Sequence, residues 1–230
     1  MAFNDGDFVK VDYSAWRAAD NKLVYTTMKS VAEKNGTFDG ETKYVPQLIV
    51  IGKGNAIRGV DEAIRKMSAG ETKKVELEPE DAFGRRDPGL VKVMSTADFK
   101  RRDIEPQPGM QLDIDGAMAT IKSVSSGRVI VDSNHPFAGE KMVYELKVLS
   151  KVEKDEEKVK AVAEVYDLVP DSIEIKDGDF RVVFGEKIEK DSKYLINKSD
   201  FVNALMRYMD KITKLRVEED FAKGKPLEKK

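Results

Sequence analysis

The sequence predicts an α+β fold built from antiparallel sheets and few helices. Three observations predict it. Apolar residues alternate with polar ones in short segments separated by Asp-Gly, Asn-Gly and Ser-Gly pairs, the pattern of half-buried strands joined by tight turns. One short amphipathic segment follows a Gly-rich turn, "GKGNAIRGVDEAIRKM". From Lys154 the apolar period switches from two residues to the helical repeat, which marks off a separate C-terminal α-β-β-α-β piece.

Taken in order, Phe8 to Ala15 reads as a strand with Val9, Val11, Tyr13 and Ala15 on its inner side. Residues 26–44 are polar, carry Asn35-Gly36 and Asp39-Gly40, and read as a long loop or a broken strand. Gln47 to Ile51 is a strand entering the Gly-rich turn. The helix runs from about Val60 to Met67 and stops before Gly70. Ile57 falls just before its first turn, where backbone N–H groups have no helical partner. Lys73 to Leu77 alternates again. Leu90 to Met94 is a short strand, and Ser95 with Asp98 opens a helical turn through Phe99 as an Asp variant of the capping box. Met110 to Asp115, Ala117 to Val124 and Gly127 to Asp132 are three small strands. Met142 to Val152 is a longer one with Tyr144, Leu146 and Val148 on one face. The C-terminal piece has a helix carrying Val159, Val162, Ala163, Tyr166 and Val169, then a hairpin around Asp177-Gly178. A helix capped by Ser199 and a last strand, Ile212 to Val217, complete it.

Composition narrows the function. Net charge is −2, so no global field favours nucleic acid or an anionic membrane. There are no cysteines and one histidine, His135, which excludes thiolate chemistry and disfavours His-based catalysis or metal binding. Acidic and basic residues nearly balance in 151–230, so the Lys-rich look there is solvated surface. No apolar run reaches the ~18 residues of a membrane span, and "MAFNDGDFVKV" has no basic-then-apolar leader. The expectation is a cytoplasmic chain with no membrane, nucleic-acid, cofactor or metal partner; the tail "AKGKPLEKK" carries no metal ligands either.

Three motifs in order, "GKGNAIRGVDEAI", "EDAFG" at 80–84 and "NHPFAGEKMVYELKV" at 134–148, resemble the FKBP-type peptidyl-prolyl cis-trans isomerases. They look most like the SlyD-like branch and its long archaeal members. The resemblance covers roughly residues 1–153. It implies an antiparallel sheet wrapped on a short helix over 1–84 and 138–153, interrupted by a mostly-β insert-in-flap domain at 85–137. Residues 154–230 then form a C-terminal domain, for which the long members imply dimerisation.

That activity needs no acid, base or metal. Rotation about an amide faces a barrier of ~18–20 kcal/mol because of resonance. Twisting breaks conjugation and shrinks the carbonyl dipole, so an apolar hollow stabilises the twisted state over the planar one. By resemblance Ile57 supplies a backbone N–H to the residue before proline, and Val60 floors the ring site. Tyr13, Val24, Ala56, Phe83 and Tyr144 wall it. Tyr13 and Tyr144 are placed inward by alternation alone. Departures are Tyr25 where relatives often carry an acid, Phe83 for tyrosine, Gln47 for an aromatic, and Val60 for a larger aromatic. A lost substrate hydrogen bond costs about 0.5–1.5 kcal/mol, up to roughly tenfold in rate. The insert holds Val91, Val93, Met94, Phe99, Met110, Met118 and Phe137 as a candidate surface for unfolded chains, a chaperone role that the resemblance implies. Those methionines read equally well as plain core.

Two other readings stand beside the isomerase. Eroded at Tyr25 and Phe83, the chain is a non-catalytic holdase, with Tyr13, Phe83 and Tyr144 as core aromatics. A nucleic-acid adaptor acting through the Lys-rich tail is disfavoured by the balanced charge. His135 reads as a turn-stabilising group.

Overall fold

The computed structural model describes residues 2–114, 116–185 and 191–220; Asp115 of the Asp-Gly turn and the tail, with the expectation made for it, lie outside the described residues. In chain order the elements begin with β1 (Phe8–Arg17), β2 (Lys22–Thr26), α1 (Lys29–Lys34), β3 (Gln47–Val50), α2 (Arg58–Arg65) and β4 (Thr72–Leu77). Next come β5 (Val91–Ser95), α3 (Thr96–Lys100), β6 (Gln111–Ile114), β7 (Ala117–Ser125) and β8 (Arg128–Asp132). The chain then runs through β9 (Met142–Val152), α4 (Asp155–Val165), β10 (Ser172–Lys176), β11 (Asp179–Phe184), α5 (Ser192–Tyr208) and β12 (Lys214–Glu219).

The first sheet has the order β2-β1-β9-β4, with β3 also paired to β1, and every pairing is antiparallel. Alternation sorts its faces. Val9, Val11, Ala15, Leu146 and Val148 point to one side and close on Val60, Ile64 and Met67, at and just beyond α2. Gly59 permits that closure: a Cβ there would sit 2.6 Å from Leu77 Cδ2 and 2.9 Å from the Asp81 carbonyl. Asp61 ties the Gly-rich turn to α2, because its Oδ1 accepts from the Gly52 N–H at 2.9 Å. Gly52 itself has φ +73°, a conformation that costs a side chain.

The second sheet, β5-β8-β7-β6, has its own core of Phe99, Ile114, Ala119, Ile121, Val129 and Val131. The capping box at Ser95 and Asp98 is formed.

The third sheet, β10-β11-β12, is mixed, with β11 and β12 parallel. It does not close a core by itself. Phe180, Phe184, Phe201, Leu205, Val159 and Val162 share one cluster with Phe8, Leu48, Val50 and Val152, which lie on the other face of the first sheet. Tyr208 meets the Phe8 ring edge-on at 6.5 Å. Lys10–Glu164 (3.0 Å) and Lys53–Asp210 (2.6 Å) cross the same boundary. The C-terminal piece is therefore seated on the sheet rather than standing apart from it.

Two local expectations need correction. Residues 29–34 form α1, because Asn35-Gly36 closes a helix instead of turning a hairpin: Asn35 Nδ2 donates to the Val31 carbonyl at 2.8 Å and Ala32 is buried. Helix α5 begins at Ser192, seven residues before Ser199, because Asp191 caps it through an acceptor for the Tyr194 N–H at 2.7 Å.

Candidate active site

Helix α2, strand β3 and the loop around Phe83 surround an open cavity of about 220 Å³. Its lining is Tyr13, Gln47, Leu48, Ile49, Asn55, Ala56, Ile57, Val60, Phe83 and Tyr144. A cavity of roughly 150 Å³ holds a benzene ring, so a pyrrolidine ring fits. Val60 is buried at its base.

The predicted site residues distribute as follows. Tyr13, Ala56, Ile57, Val60, Phe83 and Tyr144 come together around this one hollow. Val24 packs against the same core without lining it, and Tyr25 lies outside, its ring 5.4 Å from that of Tyr13. Tyr13 and Tyr144 follow at 5.9 Å and form one wall, with Tyr25 packed behind Tyr13. Burial pushes the Tyr144 phenol up to about 12, and burial with the neighbouring tyrosines pushes Tyr13 higher still. Both stay neutral hydroxyls near neutral pH.

The opposite wall is Phe83. His135 stacks on it with ring centroids 4.3 Å apart and planes 4° apart, and Phe137 packs at 5.6 Å. Phe137 thus packs behind Phe83 on the core of the first sheet and not on the insert surface, a correction to the sequence reading. Its own N–H donates to His135 Nδ1 at 3.2 Å. Phe99 needs the same correction: it is 2% exposed at the centre of the second sheet's core and offers nothing to a client. Met94 and Val91 are half-buried, whereas Val93, Met110 and Met118 are exposed, joined by Leu90 and Ile130.

Ile57 stands at the N-cap of α2 in extended backbone, φ −63° and ψ 148°. No acceptor among the described residues takes its N–H. The sequence reading missed Asn55. Its Oδ1 accepts from the Val50 N–H and its Nδ2 donates to the Leu48 carbonyl, both at 2.9 Å, so one carboxamide pins the turn carrying Ala56 and Ile57 to the outer edge of β3. A polar residue directly beside the Gly-rich turn was the available signal. No group of three or more His, Cys, Asp or Glu side chains among the described residues is arranged to hold a metal. No helix among them is long and apolar enough to cross a membrane.

A ring-sized hollow lined by both apolar and polar side chains, a helix-mouth N–H with no acceptor among the described residues and no titrating nucleophile suit a site that binds an amide segment. The comparisons agree. The sequence pattern of the FKBP-type peptidyl-prolyl cis-trans isomerases matches residues 1–101, and that described as "FKBP26, IF domain" matches residues 92–137. The chain is 36% identical over 143 residues to the short-type peptidyl-prolyl cis-trans isomerase of Methanocaldococcus jannaschii, covering 62% of this chain and 90% of that one. It is 32% identical over 128 residues to the FKBP-type isomerase SlyD of Helicobacter pylori, covering 54% and 68%. The chain belongs to the FKBP-type peptidyl-prolyl cis-trans isomerase family.

Proposed function

We propose that the protein is a peptidyl-prolyl cis-trans isomerase that acts in the cytoplasm on X-Pro bonds of unfolded or partly folded polypeptides. The observation that carries this is the open hollow beneath Ala56–Val60, lined in part by Ile57 at the N-cap of α2. The proline ring enters the hollow, the Ile57 N–H takes the carbonyl-bearing residue before it, and the apolar part of the walls at Ile49, Ala56, Val60 and Phe83 favours the twisted amide.

The organisation proposed is that of the long archaeal, SlyD-like type. An isomerase domain spans 1–84 and 138–153, an insert-in-flap domain 85–137, and a C-terminal domain 154–230. At the end of the insert, His135 stacks on Phe83 of the isomerase domain and Phe137 packs beside it. Val93 and Ile130 are directly paired across β5 and β8 and both exposed, and Met110 and Met118 are exposed elsewhere on the insert, which supports a role in holding unfolded chains. Leu195 and Ile196, exposed on α5, support dimerisation through the C-terminal domain.

A holdase without catalysis is the second reading, favoured by the missing hydroxyl at Phe83. The two separate on the cis-to-trans rate of a short X-Pro peptide with and without protein. Acceleration supports the isomerase; suppression of client aggregation with no acceleration supports the holdase.

A further inference from the structure

Beside the prolyl hollow lies a larger cleft of about 550 Å³ between the 43–48 segment and helix α4. We propose that this cleft is a second subsite for the substrate polypeptide, taking an extended aliphatic segment that flanks the proline. The proposal rests on the isomerase reading and deepens it.

Continuity comes first. Gln47 and Leu48 line both the hollow and the cleft. The two cavities border that Gln47–Leu48 edge of β3 from opposite faces of the first sheet, so an extended chain leaving the hollow turns over the edge to enter the cleft. The floor and walls fit aliphatic side chains: Val45, Pro46 and Leu48 on one side, Ala161 and Val165 on the other. Val45 and Val165 are each half exposed, which leaves apolar surface open on both walls.

Charge selects against other occupants. The charged side chains of the cleft are matched in pairs that span it, Lys10 with Glu164 at 3.0 Å and Lys43 with Asp167. The ion pairs join the two walls and fix the width. They leave no surplus charge for a phosphate or a nucleic acid, whereas a neutral extended chain loses nothing by entering. Helix α4 would thereby contact substrate directly, giving the C-terminal piece a part in recognition.

The test uses the full chain and two labelled peptides, a short X-Pro tetrapeptide and the same tetrapeptide lengthened by four aliphatic residues on either side. Binding is read by fluorescence anisotropy and turnover by the cis-to-trans rate. The lengthened peptide should bind about tenfold more tightly than the short one, the fold-change of ~1.4 kcal/mol. Val165→Asp and Val45→Asp, one from each wall, should each remove that preference. Val169→Asp, an equal charge change just beyond the cleft, should keep it. A length preference untouched by both wall variants overturns the subsite. So does a change in self-association with no change in peptide binding, which would make a second copy the occupant. A wild-type protein that binds both peptides with the expected preference but accelerates neither sinks the isomerase reading while the subsite stands.

Discussion

The imidazole of His135 lies flat on the ring of Phe83, 4.3 Å between centroids. This contact carries the returning "NHPFAGE" segment onto the wall of the prolyl hollow and shows what the lone histidine does. Its Nδ1 also accepts from the Phe137 N–H at 3.2 Å, so it holds the turn and braces the wall together. Replacing Phe83 by tyrosine adds a hydroxyl at the rim. Phe83→Tyr should raise kcat/KM on a short X-Pro peptide by up to about tenfold. His135→Ala should lower it and reduce stability by about 0.5–1.5 kcal/mol through the lost ring contact, both read from peptide kinetics and urea unfolding.

Asn55 makes a second prediction. Asn55→Ala strips the Leu48 carbonyl and Val50 N–H of their shared partner. Unfolding free energy should fall by about 1–3 kcal/mol, and KM should rise as the Ala56–Ile57 turn loosens. Asn55→Asp keeps an acceptor for Val50 but sets a carboxylate against the Leu48 carbonyl, so it should not rescue.

The junction between the first two sheets sets a pH dependence. Asp132, nearly fully buried, pairs with Arg86 and accepts from the Asn134 N–H at 3.0 Å and Nδ2 at 2.8 Å. Burial pushes its carboxyl up, but the hydrogen bonds from Asn134 and Arg86 outweigh this and hold it below its ordinary value of 3.8. A depressed carboxyl stabilises the fold above its unfolded value, and that stability is lost as pH falls from 3.8 through the folded value. Asp132→Asn should cost about 1.5–3 kcal/mol near neutral pH and flatten the acid limb of a stability-against-pH curve.

The insert can be removed at a natural seam. Asp87 and Asn134 already meet, the Asp87 N–H donating to Asn134 Oδ1 at 2.8 Å and Asn134 Nδ2 to the Asp87 carbonyl at 2.9 Å. Deleting 88–133 with a two-glycine link spares His135 and Phe137. Short-peptide turnover should survive, and catalysis of refolding of an unfolded proline-limited protein should drop on the order of a hundredfold as tethering is lost. Equal losses on both substrates would count against a client-holding insert.

Much of the site side was legible because it rests on local rules. Alternation put Tyr13 and Tyr144 inward, and a Gly-rich turn before an amphipathic segment marked the helix mouth. The far face was harder. Leu48 to Ile51 is an unbroken apolar run, the mark of a strand buried on both sides, and in the structure the C-terminal piece supplies the second cover. Read as one strand among several, it gave no partner. Phe99 and Phe137 were misplaced because composition says that a residue is apolar, not whether its own sheet or another surface claims it. The start of α5 hid in a charged stretch where Asp191 resembles its neighbours and Ser199 resembles a cap.

The central claim is that the hollow beneath Ala56–Val60 turns over X-Pro bonds using the Ile57 N–H. Ile57→Pro tests it with little else disturbed, because φ −63° already suits proline and only the donor and part of the side chain are lost. The measurement is the cis-to-trans rate constant of a short X-Pro peptide against protein concentration. The account predicts a rate that climbs with wild-type protein and climbs about tenfold less with the folded Ile57→Pro variant. A flat line for wild type, or equal slopes for the two proteins, would contradict it.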